Sequence, residues 1–178
     1  APWHFAGFAD ARADMTTLWR QTQPVCSRLG LVPMEVLQAG FWQIDPRRTV
    51  AKYEQFARTP RRSAEATAFV ALEDWANDGA PLTYAAGRQL FEDFQRDDIP
   101  GRGQWRVGGV PVDPASISCP TIEFVSKNDR IVPAATSARL PGNRTISLGH
   151  VGMIVGGRAR GALWEPIAEW ITARHSSR

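Results

Sequence analysis

Asp129 and His150 are the two residues whose types and placement suggest chemistry. Asp129 follows the apolar run Thr121-Ile-Glu-Phe-Val125, which reads as a strand, and sits in a loop closed by Pro133. His150 follows a second short run, residues 145–148, within Gly149-His-Val-Gly152. Parallel α/β sheets gather ligands and catalytic groups at the carboxyl ends of their strands. Two such ends side by side let a carboxylate hold an imidazole in one tautomer, which frees the other ring nitrogen as a general base. Simpler readings stand beside this one. An Asp after a strand is commonly a turn former, and a His between glycines a turn residue.

An Asp–His pair is two-thirds of a triad, and the missing third is a nucleophile. A nucleophile elbow reads Gly-x-Ser/Cys-x-Gly, because the strand-to-helix turn leaves no room for large flanking side chains. No such pentapeptide occurs in residues 1–178. Cys26 lies in Gln-Pro-Val-Cys-Ser-Arg within a helical region. Cys119 precedes Pro120 at the start of a strand, the end opposite the catalytic one. Both read as small buried apolar residues. Ser126 is near Asp129 in sequence but has no elbow. His4 lies in an apolar start and His175 in a basic tail, so no clustered metal-ligand spacing exists and no cofactor is expected. The glycine pairs 108–109 and 156–157 match neither phosphate-loop pattern.

The elements that must position the pair follow from the rest of the chain. Its 178 residues suffice for one core, 43% are apolar, and no apolar run approaches the roughly 20 residues of a transmembrane helix. A net charge of +3, with the small excess in the last third, is no nucleic-acid footprint. Two cysteines cannot build a disulfide framework. The chain opens on Ala1 and an apolar, strand-like segment, without a signal peptide, so it is expected to be processed or part of something longer.

A mixed segment from Asp10 to Arg20 predicts a helix ending before Pro24. Helices are also predicted over 33–41 and 50–57, from Ser63 to near Asn77, and over 83–95. Trp19, Trp75, Trp164 and Trp170 fall at stripe positions that suggest core packing, whereas Trp42 and Trp105 lie near loops and suit an apolar groove. Arg47-Arg48 and Arg61-Arg62 read as solvated turns. Around Gly108-Gly109 two apolar arms predict a hairpin. Strand, short helix, strand and a closing helix over 163–173 then follow. That alternation is α/β grammar with a parallel sheet, and two strands alone leave bare edges, so further strands are expected.

Several of these motifs resemble the polyhydroxyalkanoate synthase (poly-3-hydroxybutyrate polymerase) family. They are Trp105-Arg-Val-Gly-Gly-Val-Pro-Val-Asp113, Ile117-Ser-Cys-Pro120, Asn128-Asp-Arg-Ile-Val-Pro133, Gly149-His-Val-Gly-Met-Ile-Val155 and Leu163-Trp-Glu-Pro-Ile-Ala-Glu-Trp170. Upstream, Asp74-Trp-Ala-Asn-Asp-Gly-Ala-Pro-Leu82 resembles the family's cap region, and Ala1-Pro-Trp-His-Phe5 the segment after its nucleophile helix.

The resemblance implies the C-terminal part of an α/β-hydrolase fold with a helical cap insertion. Residues 1–9 would be a core strand segment, 10–100 the cap and 101–178 the C-terminal core segment. It also implies a Cys-Asp-His triad that moves 3-hydroxyacyl groups from coenzyme A to a growing polyester, with Asp129 and His150 as its Asp and His. The family Cys would stand before residue 1. The chain alone is therefore expected to be inactive, and the parent an acyltransferase. Expected partners are a 3-hydroxyacyl-CoA and a polyester chain, with no nucleic acid and a homodimer as a candidate assembly. The expected location is cytoplasmic, at a polyester granule. Two other readings stay open: part of an esterase or polyester depolymerase with a Ser nucleophile, or a non-catalytic granule-associated or interaction module.

Overall fold

A computed structural model describes residues 2–9, 11–44 and 46–175. Ala1, Asp10 and residues 176–178, where three of the expected segments begin or end, lie outside the described residues. The chain divides into two compact units, Asp10–Asp97 and the combination of Ala1–Ala9 with Asp98–Arg178. The fold is mixed α/β, and among the described residues its strands form three two-stranded sheets.

The unit of residues 10–97 is helical. It comprises α1 (Ala11–Leu29), α2 (Met34–Ile44), α3 (Pro46–Ala57), α4 (Ala64–Asn77) and α5 (Tyr84–Arg88), which continues as a π-helix over Gln89–Arg96. Two-residue strands β1 (Leu31–Val32) and β2 (Leu82–Thr83) pair antiparallel. Ser63 and Thr83 cap their helices as predicted, accepting from the N–H groups of Ala66 and Ala86. The core is a cluster of Trp19, Cys26, Val32 and Phe91. The Trp19 and Phe91 rings stack with centroids 4.8 Å apart, and the indole N–H donates to Glu92 Oε1 at 2.9 Å. At Gly87 any Cβ would stand 2.2 Å from Val32 Cγ2, so α5 reaches the core only because that residue is glycine. A second contact joins α3 to α4, where Phe56 stacks on Phe69 at 4.2 Å and Glu73 takes bonds from Lys52 and Tyr53.

Two expectations need correction here. Helix α1 does not end before Pro24 but runs through it. The lost backbone bond costs about 3 kcal/mol in an open helix. Here, burial of Leu18 and Trp19 before the proline and of Cys26 after it offsets that cost. Trp75 is not in a core either, being 58% exposed, as is Trp164 at 53%. A stripe of apolar positions marks one face of a helix, but it does not say whether anything packs on that face.

The other unit holds one parallel pair of the expected alternation, and among the described residues the further strands expected to cover its edges do not join it. The hairpin of β3 (Arg106–Val107) and β4 (Val110–Pro111) turns on Gly108 and Gly109. Both have positive φ, 57° and 82°, the left-handed backbone that a tight two-residue hairpin turn requires. Strands β5 (Phe124–Ser126) and β6 (Arg144–Ile146) pair parallel, with Val125 opposite Thr145. Their connection carries only a 3-10 turn, Ala134–Thr136. After β6 come the short helix α6 (Gly152–Val155) and α7 (Glu165–His175), which is preceded by a π-helical turn over Arg160–Trp164.

The opening segment, expected as a core strand, makes one bridge between Pro2 and Ser137 and then winds into a 3-10 turn, Phe5–Phe8. Its backbone is claimed by other partners. Trp3 and His4 donate to the Thr136 carbonyl, and the Phe5 N–H donates to Asp98 Oδ1 at 2.7 Å, which leaves no ladder to extend. Trp105 packs on Trp3, ring centroids 5.8 Å apart, while Trp42 is exposed on α2.

Candidate active site

The parallel pair β5–β6 ends where the chemistry-bearing residues begin. Past the paired residues, Lys127 N–H donates to the Ile146 carbonyl at 3.0 Å, so the strands stay in register up to the turns that follow. Asp129 lies in the turn after β5 and is buried. Its Oδ1 accepts the N–H groups of Ile131 and Val132 at 2.9 and 2.8 Å, the local bonding that makes Asp a turn former. Its Oδ2 accepts from His150 Nδ1 at 2.8 Å. The two roles weighed for Asp129, turn former and imidazole partner, are thus both filled, one by each oxygen.

An ionised carboxylate only accepts, so Nδ1 carries the proton and Nε2 is left with its lone pair in the neutral ring. The His150 side chain is 42% exposed and the Asp129 side chain 4%. A buried acceptor with a half-open imidazole in front of it can orient a base that reacts outward. Helix α6 starts just after His150, and the Met153 N–H donates back to the Gly149 carbonyl at 2.8 Å, closing the turn that carries the ring.

Two buried polar residues brace the parallel pair, Glu123 at its amino end and Ser126 at its carboxyl end. Glu123, just before β5, accepts the N–H groups of Ala138 and Leu140 at 3.0 and 3.1 Å and the Asn143 amide at 3.1 Å. Burial pushes its carboxyl up, but bonds from Ser137, Leu140, Ala138 and Asn143 outweigh that and hold it below the usual carboxylate range. Ser126, weighed only as a nucleophile, is buried, and its hydroxyl donates to the Leu148 carbonyl while accepting the Asn128 N–H at 3.2 Å. The signal that could have flagged both is a polar side chain within or next to a short, otherwise apolar strand.

No cysteine joins the pair. Cys26 is buried in the helical core, where desolvation pushes its thiol above the usual value against a smaller opposing effect of the backbone. Cys119 is exposed, in the segment ahead of β5. Among the described residues no group of three or more His, Cys, Asp or Glu side chains comes together as a metal site would need. None of the described helices is long and apolar enough to cross a membrane.

Fold and site together define a mixed α/β protein with an Asp–His pair at the carboxyl ends of two adjacent parallel strands. The proteins it is similar to are poly(3-hydroxyalkanoate) polymerase subunits. The chain is 29% identical to the PhaC subunit of Haloarcula marismortui over 161 residues, 85% of the chain and 34% of that relative. It is 26% identical to PhaC of Haloferax mediterranei over 84% of the chain and 32% of that relative. With PhaC of Allochromatium vinosum the identity is 26%, over 82% of the chain and 44% of the relative. The similarity is distant, and the chain spans between about a third and under half the length of these relatives. No protein-family model matches the chain, and no solved structure matches it significantly.

Proposed function

We propose that this chain supplies the Asp and His of an acyltransferase that moves 3-hydroxyacyl groups from coenzyme A to a growing polyester. The observation that carries the reading is the bond from His150 Nδ1 to Asp129 Oδ2 at 2.8 Å, at the carboxyl ends of β5 and β6. The distant likeness to polymerase subunits supplies the reaction class.

In this reading residues 101–178 with 1–9 belong to the core of an α/β-hydrolase fold and 10–100 to its cap. The protein works in the cytoplasm, at the polymer granule. Asp129 keeps the imidazole proton on Nδ1. His150 takes a proton at Nε2, first from a cysteine thiol contributed by polypeptide other than the described residues. The thiolate attacks the acyl thioester and coenzyme A leaves as the thiol, protonated from His150. His150 then deprotonates the hydroxyl of a 3-hydroxyacyl group, which attacks the enzyme thioester, forms the new ester bond and expels the cysteine sulfur, which recovers its proton from His150.

The test is release of coenzyme A from 3-hydroxybutyryl-CoA by the complete gene product. His150→Gln and Asp129→Asn are each expected to lower kcat by about 100- to 10,000-fold. Rates within twofold of the parent would sink the proposal. Free 3-hydroxybutyrate in place of polymer would favour a hydrolase.

A further inference from the structure

We infer that Ser126 is a positioning residue whose buried hydroxyl ties the two strand-end turns together and sets how Asp129 meets His150. The functional meaning of this tie rests on the proposed role of the pair; its geometry does not. A hydroxyl both donates and accepts, and here it does each toward a different turn. It donates to the carbonyl of Leu148, two residues before His150, and accepts the N–H of Asn128, one residue before Asp129. Asn128 adds a second, exposed link, from its side-chain amide to the Ser147 carbonyl at 3.3 Å.

The need for such a tie follows from what lies between. Planar peptides transmit orientation, so fixing the Leu148 carbonyl fixes the plane that enters Gly149. Gly149, held by the Met153 N–H on its carbonyl at 2.8 Å but with nothing within 4 Å of the place its Cβ would occupy, is the joint between that plane and His150. The imidazole itself is 42% exposed and gains little from burial. Ser126 is 4% exposed, so water cannot readily replace its hydroxyl. Removing that oxygen leaves a buried carbonyl and a loop N–H to find new partners, and the turns drift apart at the joint.

The experiment is nitrogen and proton NMR of the histidines in the full chain, with the His150 signals assigned through His150→Gln. The parent chain is expected to show the Nδ1-protonated ring with a slowly exchanging, downfield proton. In Ser126→Ala that proton should exchange faster by about tenfold or more, the effect of losing one net hydrogen bond, and the ring nitrogens should report mixed tautomers. Ser126→Thr, which keeps the hydroxyl, should restore the parent pattern. Circular dichroism of each variant reports the fold.

A folded Ser126→Ala with an unchanged Nδ1 proton overturns the inference. So does loss of folding in both variants, since the residue then holds the strand and not the pair. If His150→Gln leaves acyl transfer intact while the NMR result is as expected, the proposed function fails and the tie stands.

Discussion

Each of the two units has its own kind of interior. In residues 11–97 the buried residues are almost all apolar: Leu18, Trp19, Cys26, Val32, Ala66 and Phe91, with Gln95 the polar exception. In the strand-end unit, Asp98, Glu123, Ser126, Asp129, Thr136 and Ser137 are buried beside a few apolar residues such as Phe5, Leu148 and Leu163. One region is shaped by packing, which is non-directional and tolerant of small shifts. The other is shaped by hydrogen bonds, which fix distance and angle and leave a penalty when a partner is lost. A site that must hold a carboxylate and an imidazole at 2.8 Å is found in the second kind of environment.

The largest contrast expected between the units is in thiol reactivity. Exposed Cys119 should react with an alkylating reagent about 100-fold faster or more than Cys26, which must wait for a local opening of its core. Equal rates, read by peptide mass mapping, would mean that the helical core is open in solution. By the same logic, neither cysteine is expected to carry an acyl adduct after exposure to a 3-hydroxyacyl thioester. A mass shift that vanished in Cys26→Ala or Cys119→Ala would reverse that.

Next comes the core itself. Phe91→Ala is expected to cost about 3–5 kcal/mol in urea unfolding, because it removes the ring that Trp19 stacks on. A cost under about 1 kcal/mol would erase the packing half of the comparison.

Glu123→Gln should cost about 1–3 kcal/mol in the strand-end unit, since the neutral amide cannot satisfy all the donors aimed at the carboxylate. Its pH signature has a definite sign. The folded carboxyl is held below its usual range, so Glu123 contributes fully above the unfolded value, and the contribution drains away as pH falls through the lower folded value. Acid unfolding should therefore be shallower on the low-pH side in Glu123→Gln, and an unaltered acid limb would contradict the assignment.

Glu73 in the helical unit is also held low. Burial raises its carboxyl, but bonds from Lys52 and Tyr53 outweigh burial. The Lys52 side chain is 42% exposed, so screening weakens the pair, and Glu73→Gln should cost under about 1 kcal/mol. If Glu73→Gln proved the costlier of the two, the division between the units would not hold.

What could be read from sequence were features whose cause is local. Ser63 and Thr83 announce helix starts because their hydroxyls serve N–H groups three residues on. Gly108-Gly109 announces a hairpin because both positions need positive φ. Asp129 and His150 stand out because each directly follows an apolar run. What stayed hidden depends on partners far along the chain. Whether α1 survives Pro24 is decided by what Cys26 packs against, and whether Trp75 is covered is decided by α4's neighbours. The opening residues look like a strand until Asp98 and Thr136 take their N–H groups. Glu123 passes as one polar residue in an apolar run and Ser126 as a nucleophile without an elbow, and only their bonds reveal what they hold.

The ties around the candidate site have a kinetic consequence. Glu123 to Ala138 spans 15 residues, Glu123 to Asn143 spans 20, Asp129 to His150 spans 21, and Ser126 to Leu148 spans 22. All are loops nested within residues 123–150, and closure entropy grows only slowly with loop length. The Phe5–Asp98 bond, by contrast, must close 93 residues. Contacts this close in sequence belong to the fast end of folding. The dyad can therefore assemble within its own stretch of chain, without waiting for the long-range tie that anchors the opening segment.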